Sequence, residues 1–165
     1  LDAAEYLAEK IWPYIYSRVP DAKLIIAGIP PEKLNNSGHK GPGIEITGFV
    51  ANLDSLYRRS RVIVTPLLVG GGTRFKIIEA AAYGKPVVST AIGAEGIDLS
   101  PGSEILIRDN PKSFAETCIE LLKDRTLCET IGKAARAKSE SLYDRNAVIK
   151  LINDRIVGNM KLTAS

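Results

Sequence analysis

The sequence predicts an α/β fold: a doubly wound parallel sheet with helices on both faces. Two observations predict it. Short apolar runs alternate with amphipathic segments at about 30 residues per unit. The runs are bounded by glycine or proline and are rich in β-branched residues, as at Val62, Ile63 and Val64, which suits buried strands.

The elements follow in order. Residues 3 to 18 read as an amphipathic helix with Leu7, Ile11 and Ile15 on one face, ended by Pro20 and Asp21. Lys23 to Ala27 is a short apolar strand closed by Gly28. Residues 29 to 43 hold three prolines and three glycines among asparagines and read as a loop, with the lone His39 facing solvent. Ile44 to Phe49 is the next strand, and Asn52 can cap a helix running through Arg59. Arg61 to Pro66 is a strand; a glycine triplet follows, then a helix from Thr73 to Tyr83 closed by Gly84. Pro86 to Thr90 and Ile105 to Ile107 are strands. Residues 112 to 123, 126 to 140 and 144 to 158 are helical.

Composition narrows the class. A chain of 165 residues suits one domain. It is 45% hydrophobic and 25% charged, as soluble globular proteins are. The net charge of +3, from 22 basic and 19 acidic residues, is too mild to argue for nucleic acid. The densest basic cluster, Arg58, Arg59 and Arg61, falls at a helix end, where cations suit the dipole. No apolar run is long enough to span a bilayer, and no secretory signal pattern opens the chain. Cys118 and Cys128 match no metal spacing and are expected reduced and partly buried, in a cytoplasmic setting.

Ligands of doubly wound sheets bind beyond the carboxyl ends of the strands. That rule selects the loops after Ala27, Thr47, Pro66 and Thr90, and all four carry glycine. The third is the most informative. Gly70, Gly71 and Gly72 leave the backbone unobstructed, and a helix opens directly after them. Free N–H groups at such a helix start form a phosphate cradle. The spacing is neither that of the P-loop nor that of the dinucleotide fingerprint. Arg74 and Lys76 fall in the expected first turn, where cations cost about 0.3–1 kcal/mol each unless an anion offsets them. Glu79 follows, among Ala80, Ala81 and Ala82. It can accept hydrogen bonds from two vicinal sugar hydroxyls, or pair with Lys76 or Lys85 at the surface; helical spacing leaves both open.

Gly70 to Thr90, reading GGGTRFKIIEAAAYGKPVVST, resembles the nucleotide-sugar-binding domain of family 4 glycosyltransferases. Ala91 to Gly96, Pro20 to Gly28, Ile46 to Val50 and Ala134 to Arg136 continue the resemblance over nearly the whole chain. It implies a Rossmann-like carboxyl-terminal half of a two-domain GT-B enzyme. That enzyme would be a retaining, hexosyltransferase-like transferase, moving a sugar from a UDP or GDP sugar to an acceptor hydroxyl.

On this resemblance Glu79 holds the ribose hydroxyls, and the backbone from Gly72 through Thr73 and Arg74 to Lys76 meets the diphosphate. Phe49 and Val50 line the base, and Gly28 admits it to the strand end. Gly71 stands where the family often has a first glutamate, eight residues before the second. Gly71 completes the expected donor-binding set. No metal or resident cofactor is expected, since the nucleotide sugar is a substrate. The acceptor (a glycan, lipid or small molecule) would be bound mainly by a missing domain. That domain would also make any peripheral membrane contact. The first strand of the sheet, with the family's basic phosphate-binding pair after it, is expected to precede Leu1. This chain alone is then expected to bind donor without transferring sugar. The alternative class is a non-catalytic nucleotide-binding or regulatory module of flavodoxin-like topology.

Overall fold

The computed structural model describes residues 2–30, 41–70, 74–144, 146, 148 and 149. Helix α1 has three consecutive pieces: Asp2–Tyr6, a π-helical turn Leu7–Ile11, and Trp12–Arg18. The wide turn departs from the unbroken helix expected, and Pro13 explains it. Proline has no N–H to donate and its ring crowds the carbonyl a turn earlier. One wide turn, closed by the Trp12 N–H on Leu7 O, absorbs the misfit.

The chain continues through β1 (Leu24–Ala27), β2 (Ile44–Gly48), α2 (Asp54–Arg59), β3 (Ile63–Thr65) and α3 (Phe75–Ala82). It then forms β4 (Val87–Ser89), a 3-10 turn Ile92–Ala94, β5 (Leu106–Ile107), α4 (Pro111–Lys123) and α5 (Arg125–Tyr143). Local chemistry sets several ends. The sequence places Asn52 as the cap of α2, but the cap position falls to Leu53, whose side chain makes no capping bond; Asn52, one residue earlier, accepts from the Asp54 N–H at 2.8 Å in a turn that leads into the helix. Asn110 and Asp124 cap α4 and α5 through their side-chain oxygens. Helix α3 closes in a Schellman turn: Lys85 N–H on Ala80 O, Gly84 N–H on Ala81 O, and Gly84 at φ +65°.

Every strand pairing is parallel. Leu24 lies opposite Ile44, Ile63 opposite Val87, and Val88 opposite Leu106. Among the described residues the strands form two ladders, β1–β2 and β3–β4–β5, with no pairing between β1 and β3. The parallel sheet expected from the sequence is thus present as two separate ladders among the described residues. In the doubly wound order 3-2-1-4-5-6, the first strand lies between the second and the fourth. With β1 and β2 in second and third place and β3 to β5 in fourth to sixth, the split falls where that first strand would sit.

Helices cover both faces, as predicted. On one side Ile11, Trp12 and Ile15 of α1 and Phe114, Cys118 and Leu121 of α4 pack with Leu24, Ile26, Val88 and Leu106. On the other, Tyr57 of α2, Ile77, Ala80 and Ala81 of α3 and Ala135 of α5 pack with Val87 and Ile105. Val87 and Val88 go to opposite cores, as the strand period of two requires. Each large side chain fully buried here, such as Phe114, Ile11, Ile77 and Leu121, contributes about 1.5–3 kcal/mol. Cys118 and Cys128 are buried free thiols. Helix α5 runs past the expected residue 140 to Tyr143. His39 and most of the expected 144 to 158 helix lie outside the described residues.

Candidate functional site

The carboxyl ends of β3 and β4 are laced together. Ser89, fully buried at the end of β4, donates from Oγ to Thr65 O at 3.2 Å. The next residue, Thr90, donates its hydroxyl to Leu67 O and accepts from the Gly93 N–H at 3.0 Å. Gly93 has room for hydrogen only: a Cβ there would overlap Thr65 O and lie 2.5 Å from Ser89 Oγ. The loop after β4 is thereby pressed onto the end of β3. Sequence reading did not single out Ser89 and Thr90 for this work; two hydroxyls ending a buried strand were the available signal.

Arg74 adds a second clasp. The sequence placed it in the first turn of a helix starting at Thr73. Helix α3 instead starts at Phe75, and Arg74 is the residue before it, at φ −86° and ψ 50°. Its Nη2 donates to Gly70 O at 2.9 Å and to Ile92 O at 3.0 Å. The guanidinium thus turns back across the loops after β3 and β4. Lys76 does lie in the first turn and is exposed. Gly71, Gly72 and Thr73 lie outside the described residues.

Glu79 lies on the same helix with an exposed side chain. Among the described residues its hydrogen-bond donor is Tyr57, Oη to Oε2 at 2.8 Å. The alternative partner Lys85 donates instead to Arg58 O at 2.9 Å. Tyr57 is 8% exposed and stacks on Tyr83 with centroids 4.9 Å apart. Tyr83 Oη donates to Asp54 Oδ1 at 2.8 Å, and Arg58 Nε holds the other Asp54 oxygen at 2.7 Å. Burial first, then the Glu79 hydrogen bond, pushes the Tyr57 phenol well above its ordinary pKa, so it is a committed donor at neutral pH. The Arg58 and Tyr83 hydrogen bonds hold the Asp54 carboxyl below the usual range. Sequence reading missed Tyr57. Its only signal was an aromatic residue in a short helix, which reads as core.

At the first ladder, Gly28 (φ +86°) ends β1 and donates its N–H to Gly48 O at 2.6 Å, so the ends of β1 and β2 meet. Phe49 follows at 88% exposure, and Val50 is half-buried. Leu68, Val69, Phe75 and Ile92 are also exposed on the loops beyond β3 and β4 or at the start of α3. Exposed large apolar side chains thus gather at the ligand-binding end of the sheet. Hollows of about 470 and 320 Å³ lie elsewhere, around Lys85 before β4. The Arg58, Arg59 and Arg61 cluster is a solvated helix end as expected: Arg58 pairs with Asp54 and Arg59 with Glu45.

The chain is thus a parallel α/β domain with helices on both faces, a class whose ligands bind beyond the carboxyl ends of the strands. Residues 1–124 match the model of the group 1 glycosyl transferases, and the chain belongs to that family. Its α/β fold is that of one half of the GT-B fold, and it corresponds to the carboxyl-terminal domain of such enzymes. It is similar to HepE of Anabaena, solved with UDP-glucose, at TM-score 0.67 and 17% identity over 92% of this chain and 45% of that one. The pneumococcal O-GlcNAc transferase GtfA, solved with UDP and GlcNAc, gives TM-score 0.71 and 15% identity over 91% and 32%. The carboxyl-terminal domain of LpcC from Francisella tularensis, a group 1 family protein, gives TM-score 0.54 and 20% identity over 68% and 58%. A Klebsiella pneumoniae protein described as an uncharacterized 44.6 kDa protein in the cps region is 26% identical over 151 residues, 87% of this chain and 39% of that protein. The chain therefore spans less than half the length of these full-length relatives. No helix among the described residues is long and apolar enough to cross a membrane.

Proposed function

We propose that this chain is the donor-binding half of a retaining glycosyltransferase that moves a sugar from a nucleoside-diphosphate sugar to an acceptor hydroxyl. The observation that carries the reading is the Glu79 carboxylate on α3, the helix that follows β3 in the chain, held by the Tyr57 hydroxyl. The base would lie along Phe49 and Val50 over Gly28, the ribose on Glu79, and the diphosphate at Gly71, Gly72, Thr73, Arg74 and Lys76. HepE and GtfA, solved with UDP-glucose and with UDP and GlcNAc, support a nucleotide-sugar donor.

The catalytic task of this half is electrostatic: stabilising the diphosphate as it leaves. N–H groups at the start of α3 and the Lys76 ammonium serve it without a metal. A second domain completes the cleft and holds the acceptor, and a further parallel strand fills the place between β1 and β3. The split between the ladders supports that last step.

Calorimetric titration with UDP, GDP and ADP tests the reading. One nucleoside diphosphate should bind, and Glu79→Gln should weaken it by roughly 1–3 kcal/mol through lost charge assistance. Binding of none of the three, or equal binding by Glu79→Gln, refutes the assignment.

A further inference from the structure

We propose that Tyr57 is a positioning residue for ribose recognition: its hydroxyl holds Glu79 Oε2 and so aims the remaining carboxylate lone pairs at the vicinal hydroxyls of the nucleotide. The proposal rests on the donor-binding reading above and deepens it.

A glutamate on an exposed helix face samples many rotamers, and fixing one costs entropy on binding. The Tyr57 hydroxyl fixes Glu79 beforehand, at 2.8 Å. Tyr57 is itself immobile. Its ring is buried and stacked on Tyr83, which Asp54 holds through a 2.8 Å hydrogen bond.

The donor type matters. A carboxylate offers about four acceptor positions, and a single phenol occupies one. A lysine or arginine in that place would neutralise the charge. A phenol leaves the carboxylate anionic, so charge-assisted bonds to sugar hydroxyls keep their strength. Tyr57 also lies on α2, the helix entered from the Phe49–Val50 loop, while Glu79 lies on α3. The bond between them therefore sets the spacing between the base side and the ribose side of the shelf.

The test measures binding of UDP and GDP, each beside its 2′-deoxy counterpart, to the chain and to Tyr57→Phe, Glu79→Gln and the double variant. Circular dichroism checks that each is folded. Tyr57→Phe should lower the preference for the ribonucleotide roughly three- to tenfold through the rotamer freedom returned to Glu79. It should leave deoxynucleotide affinity in place. In the Glu79→Gln background, Tyr57→Phe should change the preference no further.

Tyr83→Phe keeps the ring stacked on Tyr57 and loses only the bond to Asp54, so it should reduce the preference far less than Tyr57→Phe. Should Tyr57→Phe fail to fold, Glu79→Asp replaces it: the shortened acid cannot reach Tyr57 and the ribose together, and should lose preference similarly. Glu79→Gln losing the preference while Tyr57→Phe (or Glu79→Asp in its place) keeps it overturns the proposal alone. Equal weakening of ribo- and deoxynucleotide by Tyr57→Phe means a structural role and also overturns it. No preference in the unmodified chain, or one unchanged in Glu79→Gln, overturns the ribose reading of Glu79 and the proposal with it.

Discussion

Gly93→Ala is the sharpest probe of the laced loops. An ideal Cβ at Gly93 would overlap Thr65 O and lie 2.5 Å from Ser89 Oγ and 2.9 Å from Thr90 Oγ1. None of these atoms can retreat cheaply. Thr65 is paired with Ser89 in the β3–β4 ladder, and the single Ser89 hydroxyl proton is shared between Thr65 O and the nearer Thr90 O. The 3-10 turn must move outward instead, breaking the Gly93 N–H bond to Thr90 Oγ1 and drawing Ile92 O away from Arg74. Overpacking costs about 1–3 kcal/mol, and each lost hydrogen bond adds about 1 kcal/mol. The expected loss is therefore about 3–5 kcal/mol, a large share of the roughly 5–15 kcal/mol typical of a domain.

Gly96→Ala is the control: Gly96 has φ +78° but nothing within 4 Å of its Cβ position, so only backbone strain of about 1 kcal/mol applies. Urea unfolding should show a lower midpoint for Gly93→Ala at unchanged slope. A Gly93→Ala protein as stable as Gly96→Ala refutes the account of a loop pressed onto β3.

Lys76→Ala should weaken UDP more than uridine, and the difference should shrink as salt rises; equal losses for both ligands exclude a phosphate role. Burial pushes the Cys118 thiol up to about 12, so at pH 8 iodoacetamide should label it no faster than the chain unfolds. An unfolded thiol ionises from about 9, so folding stability from this group is full below that value and falls as pH rises toward 12; a stability that increases over that window contradicts the burial argument. On the donor-half proposal, the chain alone, given labelled UDP and GDP sugars and a panel of acceptor alcohols, should show no transfer, because transfer would need two domains to close around both substrates. Turnover near that of a two-domain parent would place an acceptor site within these 165 residues.

Regular elements were legible where the chemistry is local. The β-branched run Val62 to Val64, Gly84 after Tyr83, and Asn52 ahead of Asp54 each mark an element or its end within a few residues. The π turn at Leu7–Ile11 was signalled by Pro13 and overridden by the regular apolar spacing of Leu7, Ile11 and Ile15. Arg74 was misplaced because periodicity cannot tell the first helical residue from the one before it; the backbone at ψ 50° decides that. Glu79 could be singled out, but its partner could not. Tyr57 lies 22 residues away, and the pairing exists only once α2 and α3 pack on the same face.

The proposed donor site is thus held in two unlike ways. Under the expected diphosphate position, backbone carbonyls of two loops are tied by Thr90 and Arg74, and a glycine without alternatives lets them touch. Under the expected ribose position, a side-chain pair is tied, and the helices carrying it are joined through the Tyr57–Tyr83 stack. The difference follows from the ligand chemistry. Phosphate oxygens are met by backbone N–H groups, whose placement depends on loop geometry. Vicinal hydroxyls require an acceptor at a set distance and angle, which a long side chain supplies only when something else removes its freedom. On the donor-binding proposal, fixing the loops while leaving Glu79 loose would favour any diphosphate, and fixing both would favour a ribonucleotide.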